Sequence, residues 1–155
     1  MKNLKLKVGD KAPDFTLKNQ LNKDISLSSL KGKKVLLSFH PLAWTSVCAI
    51  QMKALELKHD ALEKLNTVAL GVSVDSVFSK QEWARSLCIE KTDLVADFWP
   101  HGDMVKKYDL FIEDAGISGR ANILIDEQGN IEWIKVYEIP EIPDIEEVMR
   151  HLKKA

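Results

Sequence analysis

Two stretches of the chain are mostly apolar, as is typical of strands that are buried on both faces of a sheet. Residues 35–39 (VLLSF) lie between a run of lysines and Pro41, and residues 67–74 (TVALGVSV) form the second stretch. Pro41 has no backbone N–H to donate, so it ends the first strand. Each stretch is followed by a segment with helical spacing, which predicts alternating strands and helices.

The segment after the first strand predicts a long helix from about Thr45 to Leu65. Its apolar positions repeat at helical spacing and are Cys48, Met52, Leu55, Leu62 and Leu65. The loop at residues 75–79 caps a second predicted helix over residues 80–89. The apolar side of this second helix carries Trp83, Ala84, Leu87 and Cys88.

Period-two alternation and turn residues predict the remaining strands. Residues around Phe15 and Leu17 form an N-terminal hairpin with residues 23–30, and residues 94–95 form a short edge strand. Residues 121–126 pair with residues 131–137 across a turn that contains Gly129. A short helix over residues 104–108 and a final helix, capped by Asp144 and running through residue 153, complete the prediction.

This order of elements predicts an α/β, thioredoxin-like fold. We expect a central mixed sheet flanked by helices, with the N-terminal hairpin as an extension. The length of 155 residues fits a single domain that spans residues 1–155.

The charge balance excludes several classes of partner. The chain has 22 basic and 23 acidic residues, and no basic run stands out. This pattern gives no electrostatic footprint for nucleic acid or for an anionic membrane surface. The N-terminus lacks the apolar stretch of a signal peptide, and no segment is long enough to span a bilayer. With two cysteines and no disulfide framework, we expect a cytoplasmic protein.

Cys48 is the residue with the clearest chemical potential. It falls in the first turn of the predicted helix, at the carboxyl end of the first strand, where free backbone N–H groups and the helix dipole stabilise an anion. The thiolate is the reactive form of cysteine. Thr45 precedes Cys48 by three residues, which puts the hydroxyl and the sulfur on one face of the turn.

These residues carry a resemblance to a known family. The segment from Pro41 to Cys48 (PLAWTSVC) matches PxxxTxxC, the active-site signature of the peroxiredoxins. Residues 97–102 (DFWPHG), residues 115–117 (AGI) and Arg120, just before ANILID, resemble the AhpE-like, one-cysteine subfamily. The three motifs occur in the same order over essentially the whole chain.

The resemblance implies a thiol peroxidase that reduces hydrogen peroxide, organic hydroperoxides or peroxynitrite. Cys48 is then the peroxidatic cysteine, which attacks the peroxide as a thiolate and becomes a sulfenic acid. Arg120 supplies a permanent positive charge, and Thr45 contacts the peroxide. Pro41 shields the sulfur.

Two further residues are expected to line the substrate pocket. The backbone N–H groups near Val47 and Cys48 stabilise the leaving oxygen, and Trp44 lies close enough in sequence to form part of the pocket wall.

The sulfenic acid must be reduced again, and the sequence leaves the reductant open. An external thiol is expected, from a thioredoxin, a glutaredoxin-like protein or a low-molecular-weight thiol. Position 53, where one branch of the family has its resolving cysteine, is Lys53. Cys88 is a possible resolving residue, but its place on the apolar side of the second helix favours a buried, structural thiol. A peroxide-sensing switch without efficient turnover is a further alternative.

No cofactor or metal is expected. His40 and His101 could be considered as ligands together with Cys48, but their spacing is not that of a usual metal site. By analogy with relatives, we expect a homodimer or higher homo-oligomer whose subunits meet through loops around the active site.

Two residues in or next to the signature, and one after Arg120, depart from the family pattern. Gln51 stands where Glu is common, His40 where Tyr is common before the proline, and Asn122 where Thr is common. We therefore expect the hydrogen bonds that orient Arg120 to be weaker or rearranged.

Overall fold

The first apolar stretch forms a central strand of a seven-stranded sheet in the computed structural model, which describes residues 4–154. In chain order the strands of this sheet are β1 Thr16–Asn19, β2 Asp24–Ser26, β3 Lys34–Phe39, β4 Thr67–Ser73, β5 Asp93–Ala96, β8 Arg120–Ile125 and β9 Ile131–Tyr137. Two short strands, β6 Phe111–Ile112 and β7 Ile117–Ser118, pair separately. The helices are α1 Ser46–Leu57, α2 His59–Lys64, α3 Val77–Ser86, α4 Asp103–Lys107 and α5 Ile145–Lys154.

The strand order is β2-β1-β5-β4-β3-β8-β9. Strands β3, β4 and β5 are parallel, whereas the pairs β1–β2, β1–β5, β3–β8 and β8–β9 are antiparallel. The predicted mixed sheet, the N-terminal hairpin and the C-terminal hairpin are confirmed. The prediction that residues 94–95 form an edge strand is wrong. These residues lie in β5, which pairs with β4 on one side and with β1 on the other, so β5 is an interior strand of the sheet.

β3 carries apolar residues on both of its faces because each face of the sheet has its own core. Val35, Leu37 and Phe39 point into the cluster that contains α4, whereas Leu36 points into the cluster that contains α1, α3 and α5. Cys48 belongs to the second cluster, together with Met52 and Trp83.

The predicted long helix is two helices that meet at Lys58, where the backbone leaves the α conformation (φ −96°, ψ 4°). Leu62 is still buried, so the apolar spacing continues across the break and could not reveal it. The second helix begins three residues earlier than predicted because Ser76 caps it and accepts from the Ser79 N–H at 3.2 Å. Within residues 4–154, no helix is both long and apolar enough to cross a bilayer.

Candidate active site

Cys48 is the third residue of α1 and is completely buried, with 0% of its surface exposed. Thr45 occupies the N-cap position in an extended conformation, but its side chain forms no cap hydrogen bond. The N–H groups of Ser46, Val47 and Cys48 therefore lie in the first turn without an acceptor inside the helix. The sulfur lies where these donors and the positive end of the helix favour negative charge.

Arg120 brings a second source of positive charge to the sulfur. It is the first residue of β8, and the next residue, Ala121, pairs with Phe39 at the end of β3, from which the chain turns into α1. Its Nη1 is 3.4 Å from Cys48 Sγ, and its Nε donates to the Ile139 carbonyl at 2.9 Å. Arg120 as a whole is 2% exposed, so water screens its charge weakly.

Gln51 holds the guanidinium in place. Its Oε1 accepts from Arg120 Nη1 at 2.7 Å, while its Nε2 donates to Ser38 Oγ at 2.7 Å and to the Phe39 carbonyl at 3.1 Å. Arginine only donates hydrogen bonds, so Oε1 must face it, and the amide orientation is fixed. Ser38 Oγ donates in turn to Asn122 Oδ1 at 2.7 Å.

The expected rearrangement around Arg120 therefore consists of a neutral network through Gln51, Ser38 and Asn122. Gln51 carries no charge, so it orients the guanidinium without neutralising it. The positive charge of Arg120 remains directed at the sulfur of Cys48.

The other residues of the signature lie in the segment that connects β3 to α1 and in the first turn of α1. Pro41 is buried at the end of β3, and Val47 is half-buried in the first turn of α1. The Thr45 hydroxyl donates to the Leu42 carbonyl at 2.8 Å and is exposed. Because its hydrogen is used in that bond, the lone pairs of Thr45 Oγ1 are available to accept a hydrogen bond from an incoming molecule.

Comparison with known proteins identifies the family to which this site belongs. A sequence model of the AhpC/TSA family matches residues 8–134. The chain is 35% identical over 140 residues to alkyl hydroperoxide reductase E of Mycobacterium tuberculosis, which covers 90% of this chain and 91% of that protein. The thiol peroxidase of Oceanobacillus iheyensis is 35% identical over 150 residues, or 96% of this chain and 89% of that protein.

The chain belongs to the AhpC/TSA family, the peroxiredoxins. The crystal structure of reduced 2-Cys peroxiredoxin from Plasmodium vivax matches it with a TM-score of 0.86 at 30% identity, over 94% of this chain and 80% of that one. The thioredoxin-like α/β fold is thereby confirmed. The family's members carry names such as peroxiredoxin, alkyl hydroperoxide reductase and thiol peroxidase, and this chain is an oxidoreductase like them.

Trp44, which was expected to line the substrate pocket, lies at the surface of this peroxiredoxin and contacts α3. It is 56% exposed, and its Nε1 donates to Ser79 Oγ of α3 at 2.9 Å. Trp44 has a φ of +70°, a conformation uncommon for a bulky residue, and this turn of the backbone carries the indole to the surface.

The prediction that Cys88 is buried is wrong. Helix α3 ends at Ser86, and Cys88 adopts a φ of +55° in the turn that follows. The helical spacing from Ala84 therefore does not apply to Cys88, and Ile89 is buried in its place. Both Cys48 and Cys88 are free thiols, Cys48 buried and Cys88 exposed.

His40 and His101 each have a hydrogen-bonding partner among the described residues. His101 Nε2 is 2.7 Å from the Gly116 carbonyl. His40 Nε2 is 2.8 Å from the Nζ of Lys80, a residue of α3 that sequence reasoning missed. Lys80 lies three residues before Trp83 on the apolar side of its helix, which was the available signal that it is buried.

Proposed function

We propose that this peroxiredoxin is a thiol peroxidase in which Cys48 is the peroxidatic residue. The observation that carries the proposal is the 3.4 Å approach of Arg120 Nη1 to Cys48 Sγ in the first turn of α1. A buried thiolate needs a partner of opposite charge, and a guanidinium stays positive at every working pH.

The reaction follows from the arrangement of donors and acceptors. The Cys48 thiolate attacks one oxygen of the peroxide, an S–O bond forms, and the O–O bond breaks. Cys48 becomes a sulfenic acid. The leaving oxygen takes up a proton to give water or an alcohol, whereas protonated peroxynitrite releases nitrite directly as an anion. Arg120 and the N–H groups of Val47 and Cys48 stabilise the charge that develops on the leaving oxygen.

Thr45 orients the peroxide. Its hydroxyl is committed as a donor to Leu42, so Oγ1 accepts the hydrogen of the peroxide O–H group. Pro41 and the buried side of the first turn exclude water from the reacting atoms, which strengthens the interaction with Arg120.

An external thiol completes the cycle by reducing the sulfenic acid. Cys48 is fully buried, which favours small peroxides, whereas a bulky reductant requires the first turn of α1 to open. The reductant is a thioredoxin, a glutaredoxin-like protein or a low-molecular-weight thiol. All three occur in the reducing environment of the cytoplasm, which is the localisation that we propose for the protein.

The test is the rate of peroxide consumption in Arg120→Met, with Arg85→Met as the matched control. Arg85 is exposed at the C-terminal end of α3. We expect Arg120→Met to react at least about 100-fold more slowly, because it loses a charged donor at the reacting atoms, while Arg85→Met reacts like wild type. Equal rates for Arg120→Met and wild type would refute the proposal.

A second candidate for the reductive step is Cys88, because its thiol is exposed and free. Helix α3, which it follows, packs on the same core cluster as Cys48. A Cys48–Cys88 disulfide requires the two α-carbons to approach within about 7 Å, hence local unfolding of the first turn of α1. Mass spectrometry of peroxide-treated protein without reductant separates the two routes. A disulfide-linked peptide as the main product supports Cys88, and a modified Cys48 with free Cys88 supports the external thiol.

We also propose that two copies of the chain associate through an exposed aromatic surface formed by Trp44, Phe78, Phe98 and Trp99. Trp99 and Phe78 are 81% and 80% exposed, and the three residues other than Trp44 help to line a groove of about 570 Å³. Trp44 follows Pro41 in the signature and is bonded to α3, so this surface adjoins the active-site turn. Exposed apolar groups gathered in this way are typical of a protein interface.

Sedimentation velocity tests this association. Trp99→Ser should lower the dimer fraction at a fixed protein concentration, whereas Leu57→Ser, at an equally exposed apolar residue of α1, should leave it unchanged. A wild-type chain that sediments as a monomer at micromolar concentration would refute the proposed homodimer.

A further inference from the structure

Lys80 is a charged residue in the core. It is 0% exposed, its Nζ is 2.8 Å from His40 Nε2, and it lies 5.5 Å from the centre of the Trp83 ring. Lysine is almost never fully buried unless it is paired, because the loss of hydration is costly. The groups around Lys80 must therefore compensate for the hydration that its ammonium loses on burial.

The hydrogen bonds determine the state of His40. Its Nδ1 is 3.3 Å from the Ser38 carbonyl, which only accepts hydrogen bonds, so Nδ1 carries the hydrogen. Nε2 of the neutral ring then accepts from Lys80. Burial first, and then the charges of Lys80 and Arg120, hold the pKa of His40 well below its ordinary value, which keeps the ring neutral.

Several elements present charged groups to this cluster. The negative charges of Asp75, which follows β4, and of an ionised Cys48, on α1, favour the Lys80 ammonium, while the positive charge of Arg120 on β8 acts on His40. The Asp75 carboxylate already accepts from the Ala43 N–H at 2.9 Å and from Ser73 Oγ at 2.5 Å. Cys48 is thus the group in this cluster whose charge changes during the proposed reaction.

We propose that Lys80 is a positioning residue of the peroxidatic site, whose ammonium, held by His40, supports the Cys48 thiolate and loses its proton when Cys48 is oxidised. This inference rests on the proposed role of Cys48. It adds to the site a second cation, on the α3 side, that unlike Arg120 can change its charge.

The proton balance of the reaction is consistent with this role. The thiolate and peroxide give a neutral sulfenic acid and an oxyanion, which needs one proton. Oxidation removes the anion that favours the ammonium, so Lys80 becomes an amine, and the one proton it loses balances the one proton that the leaving oxygen takes up. The protonated leaving group and the neutral amine together leave the net charge of the site unchanged.

The pKa of Lys80 is consistent with the coupling. Burial lowers the pKa of Lys80 to about 7, and the charges of Asp75 and Cys48 act in the opposite direction. Coupling between two sites is reciprocal, so a charged Lys80 favours the thiolate by as much as the thiolate favours a charged Lys80.

The direct test is the titration of Lys80 followed by NMR with lysine labelled with ¹³C at the ε-carbon. We expect one lysine resonance, absent from Lys80→Met, to titrate near pH 7 in the reduced wild type and at lower pH in Cys48→Ser, where the thiolate is missing. An ordinary lysine titration near pH 10.4, or the same midpoint in both proteins, would overturn the proposal. The anomalous midpoint identifies the resonance even if Lys80→Met does not fold.

A second measurement follows the thiolate itself. The rate of alkylation of Cys48 by iodoacetamide is recorded against pH in a Cys88→Ser background. We expect Lys80→Met to move the midpoint upward by roughly half a pH unit or more, and Arg85→Met, which removes an exposed charge at the end of the same helix, to leave it in place. If Lys80 only packed in the core, Lys80→Met would change the thermal unfolding midpoint but not the pH dependence of alkylation. An unchanged pH dependence of alkylation would therefore overturn the proposal.

These tests do not depend on peroxidase activity. If Cys48→Ser still consumed peroxide, the proposed function would fail, although NMR and alkylation could still show the charge coupling. If peroxide consumption depended on Cys48 but both titrations were unaffected, only the role of Lys80 would fail.

Discussion

Replacement of Gln51 by Met tests whether the amide network positions Arg120. Met has nearly the same volume, so it fills the site without a large cavity. It removes three hydrogen bonds, those to Arg120, Ser38 and the Phe39 carbonyl. The bond to the buried guanidinium contributes about 2 kcal/mol and each neutral bond about 0.5 kcal/mol, so we expect the free energy of unfolding to fall by roughly 3 kcal/mol.

The same substitution should slow the reaction with peroxide. Arg120 keeps its bond to the Ile139 carbonyl but loses the one that fixes Nη1 beside the sulfur. A displacement of about 1 Å at a reacting group costs up to 100-fold, so we expect a rate about 10- to 100-fold lower than wild type.

Denaturant unfolding and stopped-flow fluorescence measure the two effects. The matched control is Gln81→Met, since Gln81 is a half-buried glutamine of α3 whose amide forms no hydrogen bond within the described part of the chain. It should stay within about 0.5 kcal/mol of wild type and react at the wild-type rate. Our reasoning on the network is refuted if Gln51→Met behaves like this control.

Three further outcomes are expected. Gly71→Ala should lower the free energy of unfolding by roughly 1–3 kcal/mol, because the added Cβ would come within 2.4 Å of Met52 Sδ and 2.8 Å of a Leu94 methyl group; a stability equal to wild type contradicts this. Ser76→Ala should cost about 1 kcal/mol through loss of the α3 cap, measured by the same unfolding titration, and no loss would mean that the cap is dispensable. The folded-state pKa of Lys80 lies below its unfolded value of 10.5, so the unfolded chain binds more protons between pH 7 and 10.5. Stability relative to Lys80→Met should therefore rise with pH across that window, and a flat difference would show that Lys80 titrates normally.

The sequence predicted the framework of the site because strong local signals coincide there. The apolar run of β3, the donor missing at Pro41 and the helical spacing after Thr45 together place Cys48 in a first helical turn. The position of Arg120 beside Cys48 depends on the pairing of β8 with β3, a long-range contact that no local pattern reveals. Only the resemblance to a family indicated it.

The errors have equally specific causes. Helical spacing put Cys88 on a buried face, but one residue with positive φ after the end of α3 exposes it. Trp44 also has a positive φ and is largely exposed, and its place in the pocket wall stays a prediction. Lys80 was overlooked because lysine side chains are usually exposed, so a lysine is not expected in the core. Its hydrogen-bond acceptor, His40, is also 40 residues away along the chain.

The most direct test of the account is to locate the first oxidised sulfur. Reduced protein is mixed with an equimolar amount of hydrogen peroxide in the presence of a sulfenic-acid trap, and the modified peptide is identified by mass spectrometry. We predict that the trap is found on Cys48 in wild type and in Cys88→Ser, and that Cys48→Ser neither consumes peroxide nor is labelled. A trap found on Cys88, or peroxide consumption that persists in Cys48→Ser, would contradict the central role of Cys48.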